Sequence, residues 1–466
     1  MKKSTLALAV ALGAIAQQAG AAGFIEDSKA TLGLRNFYIN TDNRDDATKA
    51  AGAQSKQEEW GQAFDLRFTS GYTQGTVGFG LDAIGLLGVR LDSGGGTNGA
   101  TKRGGTSYGS YGGTVFPSES NGKAVNDFSS LGLTAKAKIS QTELKLGTLM
   151  PKLPVIVSND GRLLPQTFQG GQITTNDIKD LTLVAGQIEK AKGRNSSNVE
   201  NLSIAGANGR SATGRDSNKF YYAGGDYKIT KDLTAQYYYG NLDQFYKQHF
   251  LGLLHNWAIG PGVLKTDLRY FNSRDDGANG HDANYYTTGD YGTNAAGATI
   301  TKGKVDNNLY SGLFLYTVAG HTFGGGYQVS NGNSDFPWLN QGDGSSAYLT
   351  TDMQIAKFAR AGERTWQARY AYDFAKVGVP GLTAGVVYLR GDNIDTRGNT
   401  GTPQRATNAN GANEWERDIT VAYVVPEGPL KNVGVAWKNA MWRNDIPGQR
   451  NQDENRLIVS YSLPLF

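Results

Sequence analysis

The 466-residue chain contains no cysteine, only 12 prolines and only 4 histidines. Without cysteine, a disulfide scaffold, a Cys-ligated zinc site, an iron–sulfur cluster and a thiol nucleophile are all excluded. Hydrophobic residues make up only 39%. After residue 22, no stretch supplies the roughly 18 consecutive apolar residues of a transmembrane helix. Apolar residues at helical spacing are also missing over any convincing length, so a helical protein is not expected.

Glycine, tyrosine and phenylalanine are abundant, with 63, 24 and 18 residues respectively. An aromatic content of 11% is too high for a disordered chain. A long, polar and glycine-rich composition is typical of many short strands joined by turns. The formal charge is only +4, and a chain so evenly balanced is not expected to bind nucleic acid.

The first 22 residues predict a secretory signal peptide. Two N-terminal lysines form its charged start, and residues 6–16 form its apolar centre. Ala19-Gly20-Ala21 fits the small-residue cleavage rule, and cleavage one residue later is also allowed. As a helix, the apolar centre would span only about 16 Å, too short for a hydrocarbon core of about 30 Å. We therefore expect residues 1–22 to be cleaved and residues 23–466 to form a single domain of a bacterial envelope protein.

Segments of 6 to 11 residues alternate apolar side chains with polar or small ones. In residues 365–375, Trp366 and Tyr370 fall on one face, and Gln367 and Arg369 fall on the other. A period of two residues is the signature of a β-strand. It fits a soluble β-sandwich, in which the apolar face forms a core, and equally a transmembrane β-barrel, in which that face meets lipid. The other segments of this kind are residues 63–68, 131–139, 321–330 and 418–425.

Three features favour the barrel. Lysine and arginine occupy the polar face in the middle of strands, as a wet lumen requires. Aromatic residues lie near strand ends, where a membrane barrel has interfacial girdles, and tight turns alternate with long polar loops. The aromatic groups are residues 220–222, residues 237–239 and Trp442; the short connections are 72–75, 229–232, 259–262 and 379–381, and the long ones are 91–127, 190–218, 273–308 and 390–413.

The last residues, 456–466, also alternate and end on Phe466. A closing strand with a terminal aromatic residue is the feature that the outer-membrane insertion machinery generally reads. Strands of about ten residues, with connections of similar or greater length, allow roughly 16 to 20 strands. We therefore predict an all-β fold, a transmembrane antiparallel β-barrel in the bacterial outer membrane, with a lumen wide enough for an aqueous path.

Seven segments carry a more specific signal through their order and separation. They are GFIEDS at 23–28, LRNFY at 34–38, SGYTQGTVGFG at 70–80, RLLPQT at 162–167, WQARY at 366–370, GVPGLT at 378–383 and ENRLIV at 454–459. With these segments the chain resembles the OprD-type substrate-specific porins, also called outer membrane carboxylate channels, over essentially its whole mature length. The resemblance implies 18 strands, long extracellular loops of which some fold into the lumen, a monomer or weak oligomer, and passive uptake of small carboxylates.

The resemblance also implies a ladder of basic side chains along one wall of the lumen. The matching positions are Arg35, Arg67, Arg369, Lys438 and Arg456, each on the polar face of its strand, with Arg390 as a further candidate near a strand end. Two inward-folded loops are implied as well. One corresponds to residues 151–166, with Pro154, Ser158, Asp160 and Pro165, and the other to residues 331–341, with Asp335, Phe336 and Trp338.

The chain departs from the family pattern at three wall positions. Ala422 and Ala436 stand where basic residues are expected, and Lys357 stands where an acidic residue is expected. The ladder is therefore thinner, and the acidic wall that would bind the amine of a basic amino acid is weakened. Among carboxylate solutes, this favours plain aromatic or aliphatic anions over amino acids.

A ladder of cations has a physical rationale. A carboxylate in a narrow pore sheds part of its hydration shell, and charge-assisted hydrogen bonds from arginine replace it. Several cations a few ångströms apart bind the solute well enough for entry and weakly enough for exit. The alternative for any single arginine is an ion pair that braces the barrel, such as Arg67 with Asp65 or Arg369 with Asp373.

Other chemistry has little support in the sequence. A hydrolase is not supported, because the G-x-S-x-G match at residues 105–109 has no predicted strand before it and no predicted helix after it. The four histidines, His249, His255, His281 and His321, include no H-E-x-x-H zinc motif. The Asp/Asn stretches at 275–276 and 306–308 lack the spacing of an EF-hand calcium loop. We expect no catalytic residue, no metal and no cofactor, with carboxylate solutes and outer-membrane lipid or lipopolysaccharide as partners. Two alternatives to a channel remain, a plugged structural or adhesion barrel and a barrel-embedded hydrolase. A ligand-gated active transporter is disfavoured, because no plug domain precedes the first strand pattern at Thr31.

Overall fold

The computed structural model describes residues 23–44, 56–92, 102–103, 106–107, 114–119, 124–205, 216–280, 304–340, 347–396, 411–446 and 449–466. The predicted signal peptide lies outside the described residues, as do His281 and all of the G-x-S-x-G segment except Thr106 and Ser107.

Eighteen long strands follow one another along the described chain. They are β1 (Lys29–Asn43), β2 (Lys56–Thr69), β3 (Gly78–Asp92), β4 (Asp127–Ile139), β5 (Thr142–Leu149), β6 (Thr167–Ile178), β7 (Leu181–Lys192), β8 (Phe220–Lys228), β9 (Leu233–Leu242), β10 (Tyr246–Ile259), β11 (Gly262–Asp275), β12 (Asp306–Val318), β13 (His321–Gly332), β14 (Arg364–Asp373), β15 (Leu382–Ile394), β16 (Ala412–Val424), β17 (Gly434–Asn444) and β18 (Gln452–Pro464). Shorter pieces are the strands Lys102–Arg103, Thr106–Ser107, Lys152–Leu153, Ile156–Val157, Glu200–Asn201, Ser203–Ala205 and Trp338–Asn340, the helix Gly277–Gly280 and the 3-10 helix Phe374–Val377.

Each long strand pairs antiparallel with the next, and β1 pairs with β18, where Thr31 lies opposite Pro464. The sheet therefore closes on itself and leaves no free edge. Because the strand number is even, both termini lie at the end of the barrel that carries the short turns. At one such turn Ala319 and Gly320 have φ values of 49° and 85°, which suits the twist of the strands it joins. The predicted 18-stranded antiparallel barrel is confirmed, and the five alternating segments coincide with parts of β2, β4, β13, β14 and β16, although residue 425 lies one position beyond β16.

One strand ends earlier than its alternation predicts. The pattern extends to residue 375, whereas β14 ends at Asp373 and Phe374–Val377 form a 3-10 turn. Asp373 causes this change, because its side chain accepts a hydrogen bond of 3.0 Å from the Ala375 amide. Gly378 then ends the turn with a φ of 89°, a conformation that favours glycine.

The outward faces of the strands are apolar and aromatic. On β14, Trp366 and Tyr370 are 42% and 38% exposed, whereas the inward Thr365 and Gln367 are 0% and 3% exposed. Such an outward band is what a transmembrane barrel presents to lipid. Within the ranges described above, no helix is long and apolar enough to cross a bilayer.

The predicted aromatic girdles are only partly correct. Side chains that face lipid are Tyr221, Tyr237 and Tyr239, whereas the inward, buried ones are Phe220, Tyr222, Tyr238 and Trp442. The buried rings pack in the interior, which the sequence interpretation had taken as uniformly polar. For Trp442 the indole nitrogen also donates a hydrogen bond of 2.7 Å to Glu414.

Apolar packing fills part of the barrel. A large cluster lies against β5–β12, where the ring of Phe271 is 4.7 Å from that of Phe250 and 5.0 Å from that of Phe336. A smaller cluster joins Phe37 on β1 to Leu163 on an inward segment. Inward charged side chains lie on β1–β5, β11, β14 and β16–β18, and those outside the apolar clusters form the wall of the open passage.

Candidate functional site

The segment between β5 and β6 folds into the lumen at the place predicted for the first inward loop. Pro154, Ser158 and Pro165 are buried within it, and Asp160 is exposed at its tip. Two backbone hydrogen bonds of 2.8 Å, from Ser158 to Pro151 and from Gln166 to Asn159, hold its base together. Of the four residues predicted to form the constriction here, only Asp160 therefore reaches the open lumen.

The second predicted loop does not line the passage with the residues expected. Asp335, Phe336 and Trp338 are 0%, 2% and 8% exposed. The two aromatic rings join the large apolar cluster, and the Asp335 carboxylate accepts a hydrogen bond of 2.6 Å from the Ala361 amide. The part that reaches the passage is residues 347–363, further along the chain, which the sequence interpretation missed.

Acidic residues of β16 anchor this second inward segment. The two oxygens of the Glu416 carboxylate accept hydrogen bonds of 2.8 and 2.7 Å from the amides of Ile355 and Ala356. Next to it, Asp418 accepts one of 3.2 Å from the Gln354 amide. Sequence reasoning overlooked these anchors, although Glu414, Glu416 and Asp418 stand at alternate positions, the spacing that places them on one inward face.

Three cations of the predicted ladder are paired with carboxylates, and Arg35 and Arg67 are the first two. Arg35 donates to Asp160 at 2.8 Å and to the Arg162 carbonyl at 2.6 Å, so it holds the tip of the first inward segment. Arg67 forms a two-pronged pair with Asp65, with a shortest distance of 2.7 Å. The bracing ion pair considered from sequence for Arg67 is therefore present.

Arg456 connects both inward segments to the wall. It pairs with Glu454 at 2.6 Å, and it donates to the Gly161 carbonyl at 3.3 Å and to the Gln354 carbonyl at 2.9 Å. Because these carbonyls belong to different segments, both inward segments meet the wall at this level. We call the surface formed by Arg35, Asp160, Gln354, Lys438 and Arg456 the eyelet.

Among the described residues, Arg369 has neutral hydrogen-bond partners only. It donates to the Gln367 side chain at 2.7 Å and to the Thr350 carbonyl of the second inward segment. The alternative pair with Asp373 does not form, because that carboxylate caps the 3-10 turn.

Lys438 differs from the other four cations. Its residue lies directly opposite Arg456 in the pairing of β17 with β18. No hydrogen bond or ion pair involves its ammonium group within the described part of the chain. It is partly exposed to the lumen, so its charge is available to a solute.

Arg390 does not belong to the lumen row. In β15 the inward positions are those of Leu389 and Gly391, and Arg390 lies outward between Trp366 and Trp415 on the adjacent strands. Because Arg390 lies near a strand end, the alternation did not decide whether its side chain faces the lumen or the lipid. The cross-strand pairing shows that it faces the lipid, so the prediction that it belongs to the ladder is wrong.

The three departures from the family pattern also have defined positions. Ala422 and Ala436 lie opposite one another on the inward faces of β16 and β17. Lys357 lies on the second inward segment and pairs with Asp352 at 2.7 Å, so its charge is balanced locally.

Two cavities flank the row of cations. One of about 280 Å³ lies beside Arg35 and Asp65. Another of about 290 Å³, nearer the end with the short turns, is lined by Arg67, Asp82 and Lys145. Lys145 pairs with Glu143 at 2.9 Å. The two residues are two positions apart on β5, a spacing that places both on one face of the strand, but they were not identified as lumen residues from the sequence.

Three charged groups on the loops inside the barrel have perturbed pKa values, and of these Arg194 and Glu363 are buried while Arg162 is partly buried. Desolvation lowers the pKa of Arg162 to about 10 and lowers that of Arg194 well below its ordinary value. Burial raises the pKa of Glu363 well above its usual range, and the nearby Glu414 carboxylate adds to the effect.

No other reactive constellation was found among the described ranges. Groups of three or more His, Asp or Glu residues that could hold a metal are absent there. His249 and His321 face outward and contact the tyrosine hydroxyls of Tyr237 and Tyr370, at 3.0 and 2.9 Å. What remains is a closed barrel with a charged, narrowed passage, which is the architecture of a channel.

The comparisons with known proteins agree with this architecture. Residues 22–465 match the family profile described as outer membrane porin, OprD family. The chain belongs to this family of substrate-specific channels of the bacterial outer membrane and is a channel, not an enzyme.

Its relatives include both sequences and solved structures. It is 61% identical to Pseudomonas aeruginosa OccK8 (OprE), over 96% of this chain and 100% of that one, with a TM-score of 0.80. It is 35% identical to P. aeruginosa OpdK, solved with vanillate, over 95% of this chain and 100% of that one, with a TM-score of 0.77. It is 35% identical to the porin-like protein GalP of Pseudomonas putida, over 99% of this chain and 97% of that protein.

Proposed function

We propose that this channel passes small carboxylate solutes by passive, selective diffusion along the row of cations in its lumen. Lys438 is the principal contact for the solute carboxylate, and Arg369 is the second. Arg35, Arg67 and Arg456 mainly shape the passage. The observation that carries the proposal is the unpaired Lys438 ammonium group beside Arg456 at the eyelet.

The accounting of charge supports this division of roles. Arg35, Arg67 and Arg456 each have a carboxylate within 2.6 to 2.8 Å, so each adds little net charge to the passage. Arg369 and Lys438 have no such partner among the described residues. Two available cations provide successive weak sites, and weak successive sites permit passage without trapping.

The substrate class follows from the same residues and from one relative. OpdK has been solved with vanillate, a carboxylate. Here Lys357, on the second inward segment, stands where an acidic residue would hold an amine, and the wall positions of Ala422 and Ala436 carry no charge. We infer a preference for plain aromatic or aliphatic carboxylates over amino acids.

A planar bilayer experiment tests the proposal. The purified mature protein is reconstituted in dilute KCl, and single-channel current is recorded with and without benzoate or an aliphatic carboxylate. The proposal expects small discrete openings that carboxylates block, and block by an uncharged analogue such as benzamide only at much higher concentration. A folded barrel that never conducts would instead favour the plugged structural alternative.

We further propose that residues 1–22 are removed and that the mature chain works as a monomer or weak oligomer. Intact mass spectrometry of protein purified from outer membranes tests the first point, with a chain beginning at Gly23 as the expected result. Light scattering in detergent tests the second point.

A further inference from the structure

Three arginines lie on the lipid-facing surface, on adjacent strands near the end with the long loops. They are Arg364 on β14, Arg390 on β15 and Arg417 on β16, and we call them the arginine patch. Their outward orientation follows from the pairing, because their strand neighbours Thr365, Leu389 and Glu416 are fully buried on the inner side. The patch is therefore separate from the eyelet.

The pairing of the strands places the patch along a diagonal line. Arg390 lies opposite Trp366, two residues from Arg364, and opposite Trp415, two residues from Arg417. Diagonal neighbours on adjacent strands are about 7 to 8 Å apart. Three guanidinium groups at this spacing can contact one multiply charged headgroup.

Carboxylates do not neutralise these arginines in the part of the chain that the structure describes. Asp392 lies opposite Arg364 in the register but makes no ion pair with it. Arg417 donates only to the Asn439 side-chain oxygen, and its Nε is buried without a hydrogen-bond partner there.

Three other outward arginines at this end of the barrel are paired with carboxylates. Arg274 pairs with Asp306 at 3.1 Å, and Arg44 and Arg443 both pair with Asp453, at 2.6 and 2.7 Å. The patch is thus distinguished by an excess of unpaired positive charge.

Aromatic rings fix the depth of the patch in the membrane. The Tyr388 ring packs 5.3 Å from Trp366 and 5.9 Å from Trp415, and such residues mark the interface between hydrocarbon and headgroups. An arginine on the lipid face costs about 2–4 kcal/mol at the midplane and about 0–1 near the interface. The patch therefore lies at the level of the headgroups, on the side that carries the long extracellular loops.

We propose that the arginine patch binds the phosphate groups of lipopolysaccharide in the outer leaflet. The lipid A headgroup of that leaflet carries phosphates, and guanidinium groups bind phosphate through paired, charge-assisted hydrogen bonds. The flanking tryptophans pack against the sugar and the upper acyl chains. The site fastens the channel to its leaflet and does not depend on the solute in the lumen.

Native mass spectrometry of the folded protein in detergent tests this site. The probes are bisphosphorylated lipid A and the dephosphorylated lipid with the same acyl chains. The test variant carries Arg364→Gln, Arg390→Gln and Arg417→Gln. The matched control carries Lys179→Gln, Lys228→Gln and Lys431→Gln, which remove three exposed cations at the opposite, periplasmic end. Heat-modifiable migration in gels verifies that each variant is folded, and Arg390→Gln alone serves if the triple variant does not fold.

The wild type and the control should retain bisphosphorylated lipid A at least about tenfold better than the dephosphorylated lipid. The patch variant should lose this preference, while its single-channel conductance should stay unchanged because the patch lies outside the lumen. Equal retention of both lipids by the wild type, or an undiminished preference in the patch variant, would overturn the proposal. Displacement of lipid A by equimolar inorganic phosphate would also overturn it, since the site would then be a general anion site.

Discussion

Replacing Lys438 with glutamine removes one positive charge from the eyelet and disrupts no hydrogen bond or ion pair of the described residues. At a separation of 4 Å, two unit charges attract by about 1 kcal/mol in bulk water and by about 4 kcal/mol at an effective dielectric constant near 20. Lys438 is half-buried and faces a wet lumen, so an intermediate value of about 2 kcal/mol applies. This energy corresponds to carboxylate binding that is weaker by about 30-fold.

The measurement is the benzoate concentration that halves the single-channel current. This concentration should rise by about 30-fold in Lys438→Gln, within a range of roughly five-fold to several hundred-fold set by the two dielectric limits. Lys438→Arg keeps the charge and should stay close to the wild type. Lys431→Gln, in the exposed turn between β16 and β17, removes an equal charge far from the eyelet and should change little. A half-blocking concentration that is the same in Lys438→Gln and in the wild type would refute the role assigned to this residue.

Four further outcomes are expected. Arg369→Ala should lower carboxylate uptake in liposome flux assays with folding intact. Arg456→Ala should also lower uptake, and it should raise the open conductance because the hydrogen bonds to both inward segments are lost. Unchanged flux of every tested carboxylate in both variants would contradict the ladder of cations. Asp160→Asn should shift the reversal potential in a KCl gradient toward anion selectivity, because Arg35 loses its partner, and a shift toward cations would contradict this reasoning. Phe271→Ala, at a site that is 0% exposed, should lower the free energy of unfolding in urea by about 3–5 kcal/mol, and a loss below about 1 kcal/mol would mean that the apolar cluster does not brace the wall.

The strands could be predicted from sequence because the signal is local. An alternating segment such as residues 131–139 indicates a strand wherever it occurs, and the turn residues between segments indicate its ends. The inward orientation of Arg35 and Arg456 follows from the same parity. For Arg390 the parity was ambiguous, because it lies near a strand end, and the register with Trp366 places it outward.

The hydrogen-bond and ion-pair partners of each lumen cation could not be predicted from local sequence patterns. Arg456 is held by two carbonyls, at Gly161 and Gln354, which are 295 and 102 residues away along the chain. Every residue carries a carbonyl, so no composition or spacing marks these two as partners. The buried positions of Phe336 and Trp338 are equally non-local, since they depend on the aromatic face that β10 and β11 offer inside the barrel.

The eyelet separates two requirements that a selective pore must meet together. Holding inward segments in a wet barrel needs strong, directed hydrogen bonds, and arginine provides these through its fixed fork of donors. Conducting an anion needs a charge that binds weakly and lets the solute go. An arginine that braces a segment has its donors occupied and its charge offset, as Arg456 has with Glu454. A lysine on a flexible stem suits the second task, because its compact charge follows the solute without supporting the wall. The placement of Lys438 directly opposite Arg456 therefore puts the conducting charge at the level where both inward segments meet the wall. A carboxylate that sheds part of its hydration shell there depends most on an available cation.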